Sequence, residues 1–501
     1  MLPLVNIIFL DSAAKNEYNY IDSKSTRPER SYSEMFDTRR LLAAFTAAAA
    51  VLTAASSCSS KKNSSNIISA TEAQTTGAPT AASYDGTPAE ADPGMEITWL
   101  ADYDLNPQGG EQRSTALAIF EDIYGGRINW VGTSPDDKYN TLSSMINAGE
   151  TVDMFPCEPK AFPNGVMTQQ FDPLDPYFGD MGMDEGLWSD MSYLTDMFAY
   201  NGQHYIVPYS VSEPVVLTYS RKLMQSEGID DPRKLWQEGK WDWNAMKAMI
   251  EKFRSNKPDA VRYGINGWFG QAALASTGHT VVSFDGSTLK NNIADAEIAK
   301  AEGLINDMCA KGWVSTVWRD TFPADFNTLF YASGSWSLGI SNAANPEGDL
   351  MIVPFPKSPD ADNNYITCNI DSRMLVKNSQ KGKAVATYLK CERLAVTEET
   401  YKKAAREQAL VQQKNASGSF RSFITEEQYD ALQEYTDLAK AVPVFDFGNG
   451  MTEAMTGYGH YTSDTRGIMY RITDSQQSRD WEELKKAFSP VIDEEIAKYS
   501  K

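Results

Sequence analysis

The chain has 501 residues, a length that suggests two to four domains, and its 67 acidic side chains exceed the 46 basic ones by 21. That surplus argues against a nucleic-acid partner, because binding to a phosphate backbone is driven by neutralising Lys and Arg. Three scattered histidines and five cysteines without a CxxC pair argue against a zinc site or a disulfide scaffold, and no metal or other cofactor is expected.

Residues 1–34 carry charges scattered through KNEYNYIDSKSTRPERSYSE and fit no signal, so they read as a start-site extension or a disordered segment, with Met35 as the start. Residues 35–57 read as a lipoprotein signal peptide. Arg39 and Arg40 precede the apolar run Leu41–Ala55, which is short for a membrane span and suits a signal core. The small residues Ala55, Ser56 and Ser57 before Cys58 resemble a bacterial lipobox. That likeness implies cleavage before Cys58, lipid on its sulfur, and attachment to the outer face of the cell membrane by the lipid alone. The Ser/Thr/Ala/Pro-rich stretch 58–95 buries too little apolar surface to order itself and reads as a tether.

From Glu96 onward short apolar runs alternate with amphipathic stretches. Strands are predicted at 96–101, 127–131 and 152–155, with helices at 111–124 and 136–148 between them. Similar alternation continues through 390, and the last 100 residues are mostly helical. This pattern predicts α/β architecture with mostly parallel sheets flanked by helices. Trp99 and Trp130 are predicted core residues of the first two strands, and Trp241 and Trp243 should pack the entrance of a helix. Cys309 and Cys391 read as free, buried thiols in helices. Asp360, Asp362, Asn364 and Asp371 have calcium-loop spacing, but Tyr365 stands where such loops need glycine, so no metal is expected there.

Several landmarks occur in one order: Asn201-Gly-Gln-His-Tyr-Ile-Val-Pro-Tyr209, Glu213-Pro-Val-Val-Leu-Thr-Tyr219, Gly228–Pro232, Trp241-Asp-Trp-Asn, Gly334-Ser-Trp336-Ser-Leu-Gly339 and Pro354-Phe-Pro-Lys357. Over about 96–501 the succession resembles the family 1, maltose-binding-protein-like extracellular solute-binding proteins. The resemblance implies the two-lobed type II periplasmic-binding-protein fold, with a ligand cleft at the hinge. The first lobe is expected at 96–211 plus 372–442 and the second at 212–371 plus 443–501. It also implies a monomeric receptor, not an enzyme, that captures a carbohydrate (an oligosaccharide) and delivers it to the permease subunits of an ABC importer. The alternatives are a receptor for a non-sugar solute and a surface adhesion lipoprotein that binds glycans.

A sugar site wants flat aromatics for C–H faces and carboxylates for hydroxyls. Trp336 and Glu213 stand at family positions with those roles, and Trp268 and Phe269 match a region that supplies an aromatic platform. Asp102, Tyr103 and Asp104 follow the first strand and Glu158 the third, where α/β sheets bind ligands. Tyr458, Tyr461 and Arg466 lie in a glycine-rich stretch that could cap a site. No GxSxG, HExxH or P-loop is present.

Overall fold

A computed structural model describes residues 88–108, 113–317, 319–414, 418–456 and 467–500. The signal segment, Cys58, most of the tether, Tyr458, Tyr461 and Arg466 lie outside the described residues. Two compact units emerge. The first comprises the described residues through Pro156, Asp172–Ser189 and Arg373–Ala405; the second comprises Cys157–Phe171, Asp190–Ser372 and the described residues from Arg406 onward.

The first unit is built on a four-stranded sheet in the order Arg373–Leu375, Met154–Pro156, Glu96–Ala101, Arg127–Gly132. The central strand buries Ile97, Trp99, Leu100 and Ala101, as a strand covered on both faces should. It runs parallel to both neighbours, while Arg373–Leu375 is antiparallel. Helix Thr115–Tyr124 starts where Ser114 Oγ accepts the Leu117 N–H, and it presses Leu117, Ile119 and Phe120 into the core. It stops at Gly125, whose φ of 66° is left-handed and where a Cβ would meet the Glu90 carbonyl at 2.2 Å.

The end of the expected tether is held in place. The Ala89 N–H donates to the Asp122 carbonyl and the Asp92 N–H to that of Gly125, so order begins before residue 95. Trp99 is fully buried, but Trp130 is 43% exposed, against expectation. Its strand is the edge of the sheet, so only one side of it meets a neighbouring strand.

The second unit holds the sheet Leu350–Pro354, Val215–Ser220, Thr328–Gly334, Tyr263–Gly267. Val215–Ser220 is antiparallel to both neighbours, and the last two strands are parallel. Helix Trp243–Asn256 is capped by Asp242, and Trp241 and Trp243 are buried at its entrance as expected. Their indole N–H groups donate to the Pro354 carbonyl at 2.9 Å and Ser276 Oγ at 3.0 Å.

These units divide the chain differently from the lobes drawn on the sequence. Helix Glu426–Tyr435, placed with the first lobe, packs on the edge strand of the second sheet. Gln428 donates to the Leu350 carbonyl, and the Tyr435 hydroxyl to that of Ile352. Residues 157–171 also join the second unit, where a Cβ on Gly450 would meet the Phe162 carbonyl at 2.0 Å. Cys391 is buried as expected, whereas Cys309 is only partly so, and neither is disulfide-bonded.

Asp446 ties this unit together. Its half-buried side chain accepts from the N–H groups of Val281 (2.6 Å), Val282 (3.0 Å) and Gly448 (3.1 Å). Burial pushes its pKa from 3.8 to about 6, against the pull of those three donors. The folded state therefore holds the proton more tightly than the unfolded one, and the contribution of Asp446 to stability falls as pH rises from about 4 to about 6. Asp446→Asn should flatten that slope. It should also cost about 1–2 kcal/mol, because an amide nitrogen would face N–H donors. Denaturation at pH 4, 5, 6 and 7 checks both; an unchanged slope would rule Asp446 out as its source.

Candidate functional site

Strand register builds the site in the second unit. Gly334 pairs with Val215 across two antiparallel strands, so the chain just before Val215 lies beside the turn just after Gly334. Glu213 occupies that place with a left-handed φ of 49°, a costly conformation for a residue other than glycine. From there Oε2 accepts the Ser335 hydroxyl at 2.5 Å and the Trp336 N–H at 3.1 Å.

Trp336 is the first residue of helix Trp336–Ala344, and the side chain of Ser335 makes no cap bond of its own. The carboxylate of Glu213 does that work from a distant part of the chain, against the positive end of the helix dipole. Burial raises its pKa, opposed by the hydrogen bonds from Ser335 and Trp336. The Trp336 ring is half-buried. Its indole N–H is shielded from solvent and has no hydrogen-bond partner among the described residues, an arrangement that costs about 1–3 kcal/mol when nothing fills it.

Trp268 stands at the end of the neighbouring parallel strand. Gly267 turns the chain there at φ 88°, where a Cβ would strike the Ala332 carbonyl at 2.0 Å, and the Trp268 N–H donates to that same carbonyl. Its ring is half-buried and meets Tyr470 edge-on at 5.6 Å. Glu213, Trp268 and Trp336 thus converge at one end of one sheet, at the carboxyl ends of its two parallel strands, where such sheets bind ligands. Phe269 does not join them. It is fully buried and stacked on Phe355 at 6.2 Å and 4°, a core residue at the cap of helix Gly270–Ala275.

The first-unit candidates divide. Asp102 is almost wholly buried, and its Oδ1 pairs with Lys138 Nζ at 3.0 Å; its Oδ2 has no hydrogen-bond partner among the described residues. The Tyr103 ring meets Trp99 edge-on at 5.4 Å, and its carbonyl takes the Trp99 indole N–H. Asp104 closes its own loop: Oδ1 accepts from Asn106 and Oδ2 from Gln108. Glu158 is buried and belongs to the second unit, where its carbonyl opens the turn 159–161. Tyr458, Tyr461 and Arg466 are outside the described residues. The acids of the calcium-like spacing are also engaged, Asp360 by Lys300 and Asp362 by the Tyr365 hydroxyl.

The sequence reading missed Ser335, Lys138 and Tyr470. Ser335 lies inside the quoted Gly334–Gly339 landmark and was within reach. Nothing local in the sequence ties Lys138 to Asp102 or Tyr470 to Trp268.

A family model described as bacterial extracellular solute-binding protein matches residues 115–411. No curated protein matches the chain. Among solved structures, the cyclic alpha-maltosyl-1,6-maltose binding protein of Arthrobacter globiformis is similar at 16% identity and TM-score 0.55, covering 80% of this chain and 98% of that one. The sugar-binding protein MalE of Xanthomonas citri is similar at 15% and 0.57, over 80% and 98%. UgpB of Mycobacterium tuberculosis, in complex with glycerophosphocholine, is similar at 15% and 0.51, over 80% and 99%. At such identities the likeness establishes the fold, which is the expected type II periplasmic-binding-protein architecture.

Proposed function

Because the chain belongs to the bacterial extracellular solute-binding proteins, we propose that it captures a neutral carbohydrate, an oligosaccharide, and delivers it to an ATP-driven importer. It acts without chemistry on the ligand, as a monomer held at the extracellular face of the cell membrane by lipid on Cys58. Trp336 carries the reading. It offers a partly exposed ring and a shielded indole N–H without an acceptor among the described residues, next to the carboxylate of Glu213. A sugar has a complement for each: a C–H face for the ring, a hydroxyl oxygen for the N–H and further hydroxyl protons for the carboxylate.

A phosphodiester such as glycerophosphocholine is the competing ligand, since one structure of this fold was solved with it. An acid at the site and a net charge of −21 disfavour an anionic group. A thermal-shift screen separates the two. A ligand held only by the folded state at 100 times its Kd adds about 2.7 kcal/mol. A neutral saccharide should raise the melting temperature and glycerophosphocholine should not; the reverse result overturns the proposal. Mass spectrometry of membrane-extracted protein tests the anchor, which an unmodified Cys58 would refute.

A further inference from the structure

Trp268 lies between Gly267 and Gly270, and one segment of the second unit closes on the chain at both glycines. Gln476 Nε2 donates to the Gly267 carbonyl at 3.2 Å. A Cβ on Gly270 would meet the Thr473 carbonyl at 1.9 Å, so only glycine admits that close approach. Directly before Thr473 the helix Ile468–Ile472 carries Tyr470, whose ring meets the indole of Trp268 edge-on at 5.6 Å and 63°.

A helix of five residues is too short to hold itself in place. Arg479 fixes it. Its guanidinium donates to the carbonyls of Arg471 and, at 3.0 Å, Ile472, in the last turn of that helix. A further N–H donates at 2.9 Å to Glu302 Oε2 on helix Ala296–Ala310. The backbone N–H of Arg479 donates at 2.7 Å to Asn306 Oδ1, one turn further along the same helix. The side chains of Glu302 and Arg479 are 3% and 9% exposed, a depth at which each needs the other. The planar fork of one arginine thus ties a short helix end to a core helix, a span that the point charge of a lysine does not reproduce.

A half-buried indole at a strand end gives up rotamer freedom when a ligand fixes it, and a ring already packed against it removes that cost. We infer that Arg479 and Tyr470 are positioning residues for Trp268: Arg479, bonded to Glu302, holds Tyr470 against the indole, and Tyr470 holds the indole in its binding orientation. This rests on the proposed carbohydrate site, in which Trp268 stands with Trp336 and Glu213.

The test titrates the full chain calorimetrically with the saccharide that the thermal screen identifies, and melts each unliganded variant. Tyr470→Ala should weaken binding roughly three- to tenfold, the scale of one aromatic pair or one immobilised side chain. Tyr470→Phe, which keeps the ring, should recover most of that loss. Arg479→Lys keeps a cation opposite Glu302 but gives up the fork, so it should weaken binding by a similar factor and also lower the melting temperature. In the Tyr470→Ala background, Arg479→Lys should cost no further affinity while still lowering the melting temperature. A residue that only supports the fold would not lose its effect on affinity in this way. Losses that multiply in the double variant overturn the inference, as does either single variant binding within about twofold of the parent. If Trp336→Ala weakens binding while Trp268→Ala and Tyr470→Ala do not, the assignment falls and carbohydrate capture stands. If no saccharide binds the parent, both fall together.

Discussion

Trp336→Ala is expected to weaken saccharide binding by about 1–3 kcal/mol, the scale of burying one large apolar side chain. The stability of the unliganded protein should change much less. The ring is only half-buried, and its removal also removes a shielded N–H that has no acceptor among the described residues. Calorimetric titration gives the first quantity and thermal melting of the free protein the second. Trp336→Phe helps to apportion the loss: it keeps an aromatic face and drops the indole N–H. Intact affinity combined with a sharply lower melting temperature would make Trp336 a packing residue and displace the site.

Glu213→Ala is expected to damage fold and binding together. It strips the cap from helix Trp336–Ala344, leaving the Ser335 hydroxyl and the Trp336 N–H without their acceptor, for about 1–2 kcal/mol. It also keeps the left-handed backbone at 213, whereas Glu213→Gly relieves it, so the glycine variant should be the more stable of the two. Chemical denaturation of both variants reads that order, and an alanine variant as stable as the parent would contradict it.

The pH behaviour of Glu213 separates its two roles. Its folded pKa is raised, so the folded state holds its proton more tightly. Through this group, stability falls as pH rises from the ordinary carboxylate range through the raised value. Binding should run the other way, since the ionised carboxylate is the stronger acceptor for sugar hydroxyls and protonation turns one of its oxygens into a donor. Saccharide affinity is therefore expected to decline with acidification through the same window, and Glu213→Gln should lose that dependence.

The strands and helices of the first unit were legible because their apolar residues recur at short intervals. The predicted strand at 96–101 is the observed one, and the predicted helix at 111–124 begins only four residues late, at Thr115. What sequence did not reveal depends on distant partners. Trp99 and Trp130 look alike in an apolar run, yet one is central and the other on an edge, and strand order is not local information. Helix Glu426–Tyr435 is plainly amphipathic, but which sheet it covers is decided by Leu350, Ile352 and Arg233.

The same distinction runs through the site. Glu213 and Trp336 were visible as residue types in their landmarks, while their contact follows from the pairing of two strands over 100 residues apart. Asp104 had the right chemistry in the right place but is consumed by Asn106 and Gln108, two and four residues away. Phe269 shows how one step along the chain exchanges a half-buried ring for a core one.

A crystal structure of the protein with the saccharide selected by the thermal screen tests the central claim most directly. The account predicts a sugar ring against the face of Trp336, with one hydroxyl accepting the indole N–H and others donating to Glu213. A saccharide bound elsewhere, with the Trp336 N–H still unpartnered and Glu213 contacting only Ser335 and Trp336, would contradict it.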